Sequence, residues 1–115
     1  MIIKHEKIKP IEFDRLEIVD YTAGKAVSSS FAEIAVPPGI RHKLSWSNRS
    51  DKYYYIVRGE VQFTVNEEVS DLGPGDVCII PKGDRFRYKN TGLEDAVLIL
   101  VHTPDFRLEC EEFID

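Results

Sequence analysis

The sequence predicts an all-β fold, and three observations carry that prediction. Turn signals recur at short, even intervals along the 115 residues, the segments between them are rich in β-branched and aromatic side chains, and no segment beyond residue 24 holds a helical period. The punctuation runs through Ala23-Gly24, Pro37-Pro38-Gly39, residues 48–51, Arg58-Gly59-Glu60, Asn66-Glu67, residues 73–76, residues 81–84, Asn90-Thr91-Gly92 and Thr103-Pro104. Residues 11–21 come first. Their apolar positions, Ile11, Phe13, Leu16, Ile18 and Val19, fit neither period cleanly, and the stretch reads as strand. The segments 31–36, 53–57, 77–80 and 96–101 follow, each short and apolar. Alternation is clearest in 61–65, where Val61, Phe63 and Val65 share one sheet face and Gln62 and Thr64 take the other. About 9 to 11 short strands must hide their edges, and closure into a barrel or a two-sheet jelly roll does so economically.

Length bounds the organisation. A chain of 115 residues makes one domain, because two halves would each be too small to bury a useful core. With 43% hydrophobic and 30% charged residues it lies in the globular range. Fifteen basic against 20 acidic residues give a net charge of −5, which disfavours nucleic acid as a partner. The longest apolar run, 96–101, falls far short of the ~18 residues that span a bilayer, and the charged N-terminus has no export-signal pattern, so no membrane partner is expected. Cys78 and Cys110 lie far apart in dissimilar surroundings, which fits a reducing cytoplasm better than a disulfide framework.

From Pro37 to Asn90 the order of glycines, prolines and apolar runs resembles the cupin superfamily, small double-stranded β-helix (jelly-roll) barrels marked by two motifs. The second motif is Gly, five residues, Pro-x-Gly, two residues, His, three residues, Asn. It is matched by Gly75, Pro81, Gly83 and Asn90, with Phe86 where the family usually has a metal-binding histidine. The first motif has its terminal glycines at Gly39 and Gly59. Between them Ser45 and Ser47 replace its histidines and Lys52 its glutamate. The resemblance implies a single cupin domain over 1–115: N-terminal strands and a dimerisation arm in 1–24, the barrel in 31–103 and an acidic tail in 104–115. It also implies a homodimer.

The replaced positions disfavour a metal cofactor. A serine hydroxyl is a poor ligand, phenylalanine has no donor atom and an ammonium repels a cation. No cofactor is expected. Strand alternation from the same positions gives a candidate lumen of Ser45, Ser47, Lys52, Tyr54, Phe86 and Tyr88. Two readings stay open: these side chains line a pocket for a small organic ligand, or they fill the barrel. Taken singly, Lys52 is expected to snorkel to solvent, the two serines to bond neighbouring backbone and His42 to sit exposed in a loop or at a strand end. Opposite the lumen, Arg85, Arg87 and Lys89 are expected on a solvated face, and Trp46 points outward as a candidate for an interface.

The leading functional expectation is a metal-free cupin that binds an anionic or polyhydroxylated metabolite. An alternative is a metal-independent enzyme like the cupin sugar-nucleotide epimerases and isomerases, with His42 or His102 as base and Tyr54 or Tyr88 as acid. That reading requires a histidine in the lumen. A third is an interaction or regulatory module with a packed barrel.

Overall fold

The computed structural model describes residues 1–114, and among them eleven strands form two antiparallel sheets. The six-stranded sheet has the order β1(Ile11–Phe13), β2(Leu16–Asp20), β3(Ser30–Val36), β10(Ala96–Thr103), β5(Asp51–Arg58), β8(Val77–Ile80). The five-stranded sheet runs β11(Glu111–Ile114), β4(Arg41–Ser47), β9(Phe86–Asn90), β6(Val61–Val65), β7(Glu68–Leu72). Two short 3₁₀ turns, His5–Lys7 and Leu108–Cys110, are the only helical pieces described, and none is long and apolar enough to cross a membrane. The sheets pack face to face as a jelly roll, as the strand count and punctuation predict.

Residues 11–21 show no single period because they are two strands. Asp14 and Arg15, both at positive φ (51° and 68°), make a two-residue hairpin, and β2 then pairs with β3. Asn66 and Glu67 (47° and 71°) turn β6 into β7 in the same way. β1 and β2 therefore belong to this chain's own sheet. The acidic segment that reads as a tail contributes β11, which pairs with β4 through Glu111↔Ser47 and Phe113↔Ser45.

The fixed positions of the two motifs are explained by backbone geometry. Gly59 has φ +90°, and a Cβ there would lie 2.7 Å from the Ala96 Cα, so only glycine lets β5 leave the sheet beside β10. Asn90 is buried; its amide donates to the carbonyls of Val36 and Glu94, both at 2.8 Å, and its Oδ1 accepts from the Gly92 N–H at 2.8 Å. One side chain thus ties the end of β3 to the loop between β9 and β10.

Inward-facing positions alternate as expected. Val61 and Phe63 on β6, Tyr54 and Ile56 on β5, Phe86 and Tyr88 on β9, and Leu98 and Leu100 on β10 build the core. Burying each large apolar side chain contributes about 1.5–3 kcal/mol. The core fills one end of the barrel. The other end, between β2–β3 and β4, holds a cavity.

Candidate functional site

The cavity has a volume of about 300 Å³, at the small end of the range for ligand pockets. Its walls are mainly apolar, from Leu16, Ile18 and Ile34 on one sheet to Phe113 on the other, with Phe106 and Leu108 from the connection before β11. Five of its polar groups come from five different strands: His42 on β4, Lys52 on β5, Tyr88 on β9, His102 on β10 and Glu111 on β11.

Lys52 is buried rather than snorkelling. It sits opposite His102 in the β5–β10 ladder, and its Nζ donates to His102 Nε2 at 2.8 Å and to Glu111 Oε1 at 2.5 Å. The Lys52 and Glu111 side chains are 5% and 2% exposed, so this is an interior ion pair reaching from one sheet to the other. Snorkelling is disfavoured because β11 brings a carboxylate to the ammonium inside the barrel, and pairing removes the main penalty of burial. Burial still lowers the Lys52 pKa, against the opposing pull of Glu111. An ammonium has no lone pair, so His102 Nε2 must be the acceptor and its proton sits on Nδ1. Burial, with Lys52 beside it, lowers the His102 pKa to about 3.

His42 is also interior, contrary to the exposed position expected for it. It pairs with Tyr88 across β4–β9 and stacks against the two β9 rings, 5.0 Å from Tyr88 and 5.2 Å from Phe86. Nδ1 lies 2.7 Å from the Lys43 carbonyl, which accepts only, so Nδ1 carries the proton and Nε2 keeps a lone pair. Burial lowers the His42 pKa to about 4, so the ring is neutral at pH 7. The phenols of Tyr54 and Tyr88 are fully buried, and desolvation raises both pKa values, which keeps both hydroxyls protonated.

The structure divides the predicted site residues. Ser45, Lys52, Tyr54, Tyr88, His42 and His102 come together around the cavity. Ser47 does not line it: its Oγ accepts from the N–H groups of Arg49 and Ser50 at 3.2 and 2.9 Å and holds the β4–β5 turn. Phe86 is core, packed under His42 and Tyr54 with the Lys52 ammonium 5.7 Å from its ring centroid. Outside the barrel Arg87 and Lys89 are exposed, and the Arg85 guanidinium stacks on Trp46 at 4.0 Å, which accounts for the half-buried indole. Sequence reading missed Glu111, because its charge and its neighbours Glu109 and Glu112 resemble a solvated tail, and it did not single out Asp20 or Ser30, which also line the cavity.

A two-sheet antiparallel barrel with a closed end, an open end and convergent polar side chains defines a small-barrel scaffold of the cupin kind. The chain belongs to this family: a cupin-domain model matches residues 32–102. It is similar, at 28% identity over 116 residues, to the uncharacterized protein MJ1618 of Methanocaldococcus jannaschii, covering 97% of this chain and 93% of that one. Among solved structures it is similar in fold to Streptomyces PAC13 with uridine, at TM-score 0.86 and 21% identity over 99% of this chain and 90% of that chain. It is likewise similar to a predicted oxalate decarboxylase from Thermotoga maritima, at TM-score 0.81 and 24% identity over 90% and 99% of the two chains.

The metal that many cupins hold does not fit this donor set. The four motif positions are two serines, a lysine and a phenylalanine, and the lysine's ammonium lies in the lumen against His102 and Glu111. Among the described residues no three His, Cys, Asp or Glu side chains group together as a metal site would require.

Proposed function

We propose that this cupin binds one small organic molecule in its lumen without a metal. The observation that carries the reading is the cavity itself: its lining is mainly apolar, and His42, Lys52, Tyr88, His102 and Glu111 converge on it from both sheets. An apolar body with a polar end suits such a site. Similarity in fold to the uridine-bound Streptomyces protein supports a ligand of nucleoside size, and uridine is a sensible first probe. The test is a thermal-shift screen of nucleosides, sugars and carboxylates. A ligand at a hundred times its Kd adds about 2.7 kcal/mol of stability. No shift across the panel contradicts the reading.

A second reading, metal-independent acid–base catalysis, is favoured by one specific arrangement. His42 offers a neutral Nε2 lone pair to the same cavity that Tyr88 lines with a protonated phenol. A base and an acid facing one small volume is the minimum that proton transfer on a bound substrate requires. This is in keeping with a fold neighbour described as a nucleoside dehydratase. Replacing His42 by Gln should then abolish turnover while retaining binding.

The proposal extends to assembly and location. The outer face of the six-stranded sheet exposes Tyr53, Tyr55, Val57, Val77 and Ile79 side by side on β5 and β8, and we assign that face to a second copy in a cytoplasmic homodimer. Light scattering on a sizing column tests it, with Ile79→Glu expected to give monomer.

A further inference from the structure

Glu111 Oε2 is buried with no hydrogen-bond partner among the described residues, the Tyr88 hydroxyl is buried with the Tyr54 phenol beside it, and both residues line the same cavity. Tyr88 is 1% exposed and Glu111 8%. A carboxylate oxygen so deeply buried is normally satisfied, so Oε2 marks the place where something else completes the network. Their chemistry limits what that is. A carboxylate oxygen only accepts, the His42 Nε2 lone pair only accepts, and a phenol does either. Lys52, the one cation on the cavity wall, already gives N–H donors to Glu111 and His102. The wall therefore asks for donors.

Charge points the same way. The charged side chains facing the cavity are Asp20 and Glu111 against Lys52, two acids to one base, and the two histidines facing it are neutral at pH 7. Glu111 matches the Lys52 charge at the wall, and Asp20 lies on β2. An anion entering this end of the barrel meets a net negative lining and no free cation, whereas a hydroxyl or amide loses nothing by it.

We infer that the lumen selects electrically neutral ligands that present hydroxyl or N–H donors to Glu111 and Tyr88, and rejects their anionic analogues. This rests on the ligand-pocket reading above and narrows it to the polyhydroxylated rather than the anionic class of metabolite. Glu111 is the anchoring acceptor. Lys52 acts through it, holding the carboxylate aimed while leaving Oε2 for the ligand.

Matched pairs that differ only in charge test the inference on the wild-type protein by calorimetry: uridine with uridine 5′-monophosphate, and phenyl glucoside with phenyl glucuronide. Any body that binds is expected to bind at least about tenfold more tightly in its neutral form. An anionic member binding as tightly as its neutral twin overturns the inference and leaves the pocket reading standing. No binding by either pair overturns the pocket reading, and this inference with it. A second arm uses formate as a probe. Glu111→Gln leaves the Lys52 ammonium unmatched, so formate should bind and stabilise this variant at least about tenfold more strongly than wild type. Should Glu111→Gln not fold, the double variant Lys52→Met/Glu111→Leu, with neither charge nor acceptor, keeps the test. It should lose about tenfold or more in affinity for the neutral ligand and gain nothing for formate. Unchanged neutral binding in the double variant overturns the role given to Glu111.

Discussion

Removing the Glu111 charge tests the architecture of the lumen most sharply. In Glu111→Gln the Lys52 side chain, 5% exposed, keeps His102 as a neutral acceptor and loses its only counter-charge within bonding distance. Breaking one side of a buried ion pair costs about 3–5 kcal/mol, because the surviving charge stays desolvated. The lysine has one escape, releasing its proton, which sets a ceiling. Bringing an amine with an ordinary pKa of 10.5 to neutrality at pH 7 costs 3.5 pH units at about 1.4 kcal/mol each, or about 5 kcal/mol. That ceiling fixes a pH signature. Between the depressed folded pKa and 10.5 the unfolded chain holds more protons than the folded one, so stability rises with pH. The deficit of Glu111→Gln should therefore shrink by up to about 1.4 kcal/mol per unit, to about 2 kcal/mol at pH 9. Lys52→Met/Glu111→Leu, which removes both charges, should be near wild-type stability at both pH values. Urea denaturation followed by circular dichroism at pH 7 and pH 9 reads all three. If Glu111→Gln is as stable as wild type at pH 7, or its deficit is the same at pH 9, the pair is solvated and the description of the lumen is wrong.

Three further predictions follow from the same geometry. Tyr88→Phe removes a buried hydroxyl that has only the Tyr54 phenol beside it, so the ligand-free protein should change by no more than about 1.5 kcal/mol while ligand affinity falls; a larger loss of stability would show that the hydroxyl has a stronger partner. His42 and His102 bind protons in the unfolded chain near pH 6.5 but in the folded one only near pH 4 and pH 3, so stability should fall as pH drops through 6.5 toward 4. For His42 alone the loss amounts to roughly 3 kcal/mol, and equal stability at pH 7 and pH 4.5 would contradict burial of both rings. Gly59→Ala forces a Cβ against the Ala96 Cα at positive φ, and equilibrium unfolding should show a loss of well over about 1 kcal/mol; a neutral result would mean that β5 leaves the sheet along another path.

The barrel was legible because its signals are local. Turn residues at fixed offsets, period-two runs such as 61–65, and the motif glycines each depend on a few neighbouring positions, and the structure explains Gly59 and Asn90 by backbone demands that hold whatever the lumen contains. The site was legible only where alternation ran unbroken. Lys52 and Tyr54 follow from β5, and Tyr88 from β9. His42 was lost because β4 is bulged: the register shifts between His42 and Ser45, so residues three apart face the same side and parity counted back from Ser45 and Ser47 puts the histidine outside. Lys52 was assigned to solvent for a sound reason, the cost of an unpaired buried charge, and the missing fact was non-local. Its partner Glu111 lies 59 residues away on a strand of the other sheet. Once that pairing is known, the role of the acidic C-terminal segment follows: it closes the five-stranded sheet and delivers the carboxylate that makes an interior lysine tolerable.

The most direct measurement of the central claim is an experimental electron-density map of the lumen from crystals grown with uridine and phenyl glucoside. An organic molecule whose hydroxyl or N–H groups lie within hydrogen-bond distance of Glu111 Oε2 and the Tyr88 hydroxyl is the predicted result. A metal ion seated among His42, His102 and Glu111, or a lumen closed by its own side chains with those two atoms bonded to each other, would contradict it.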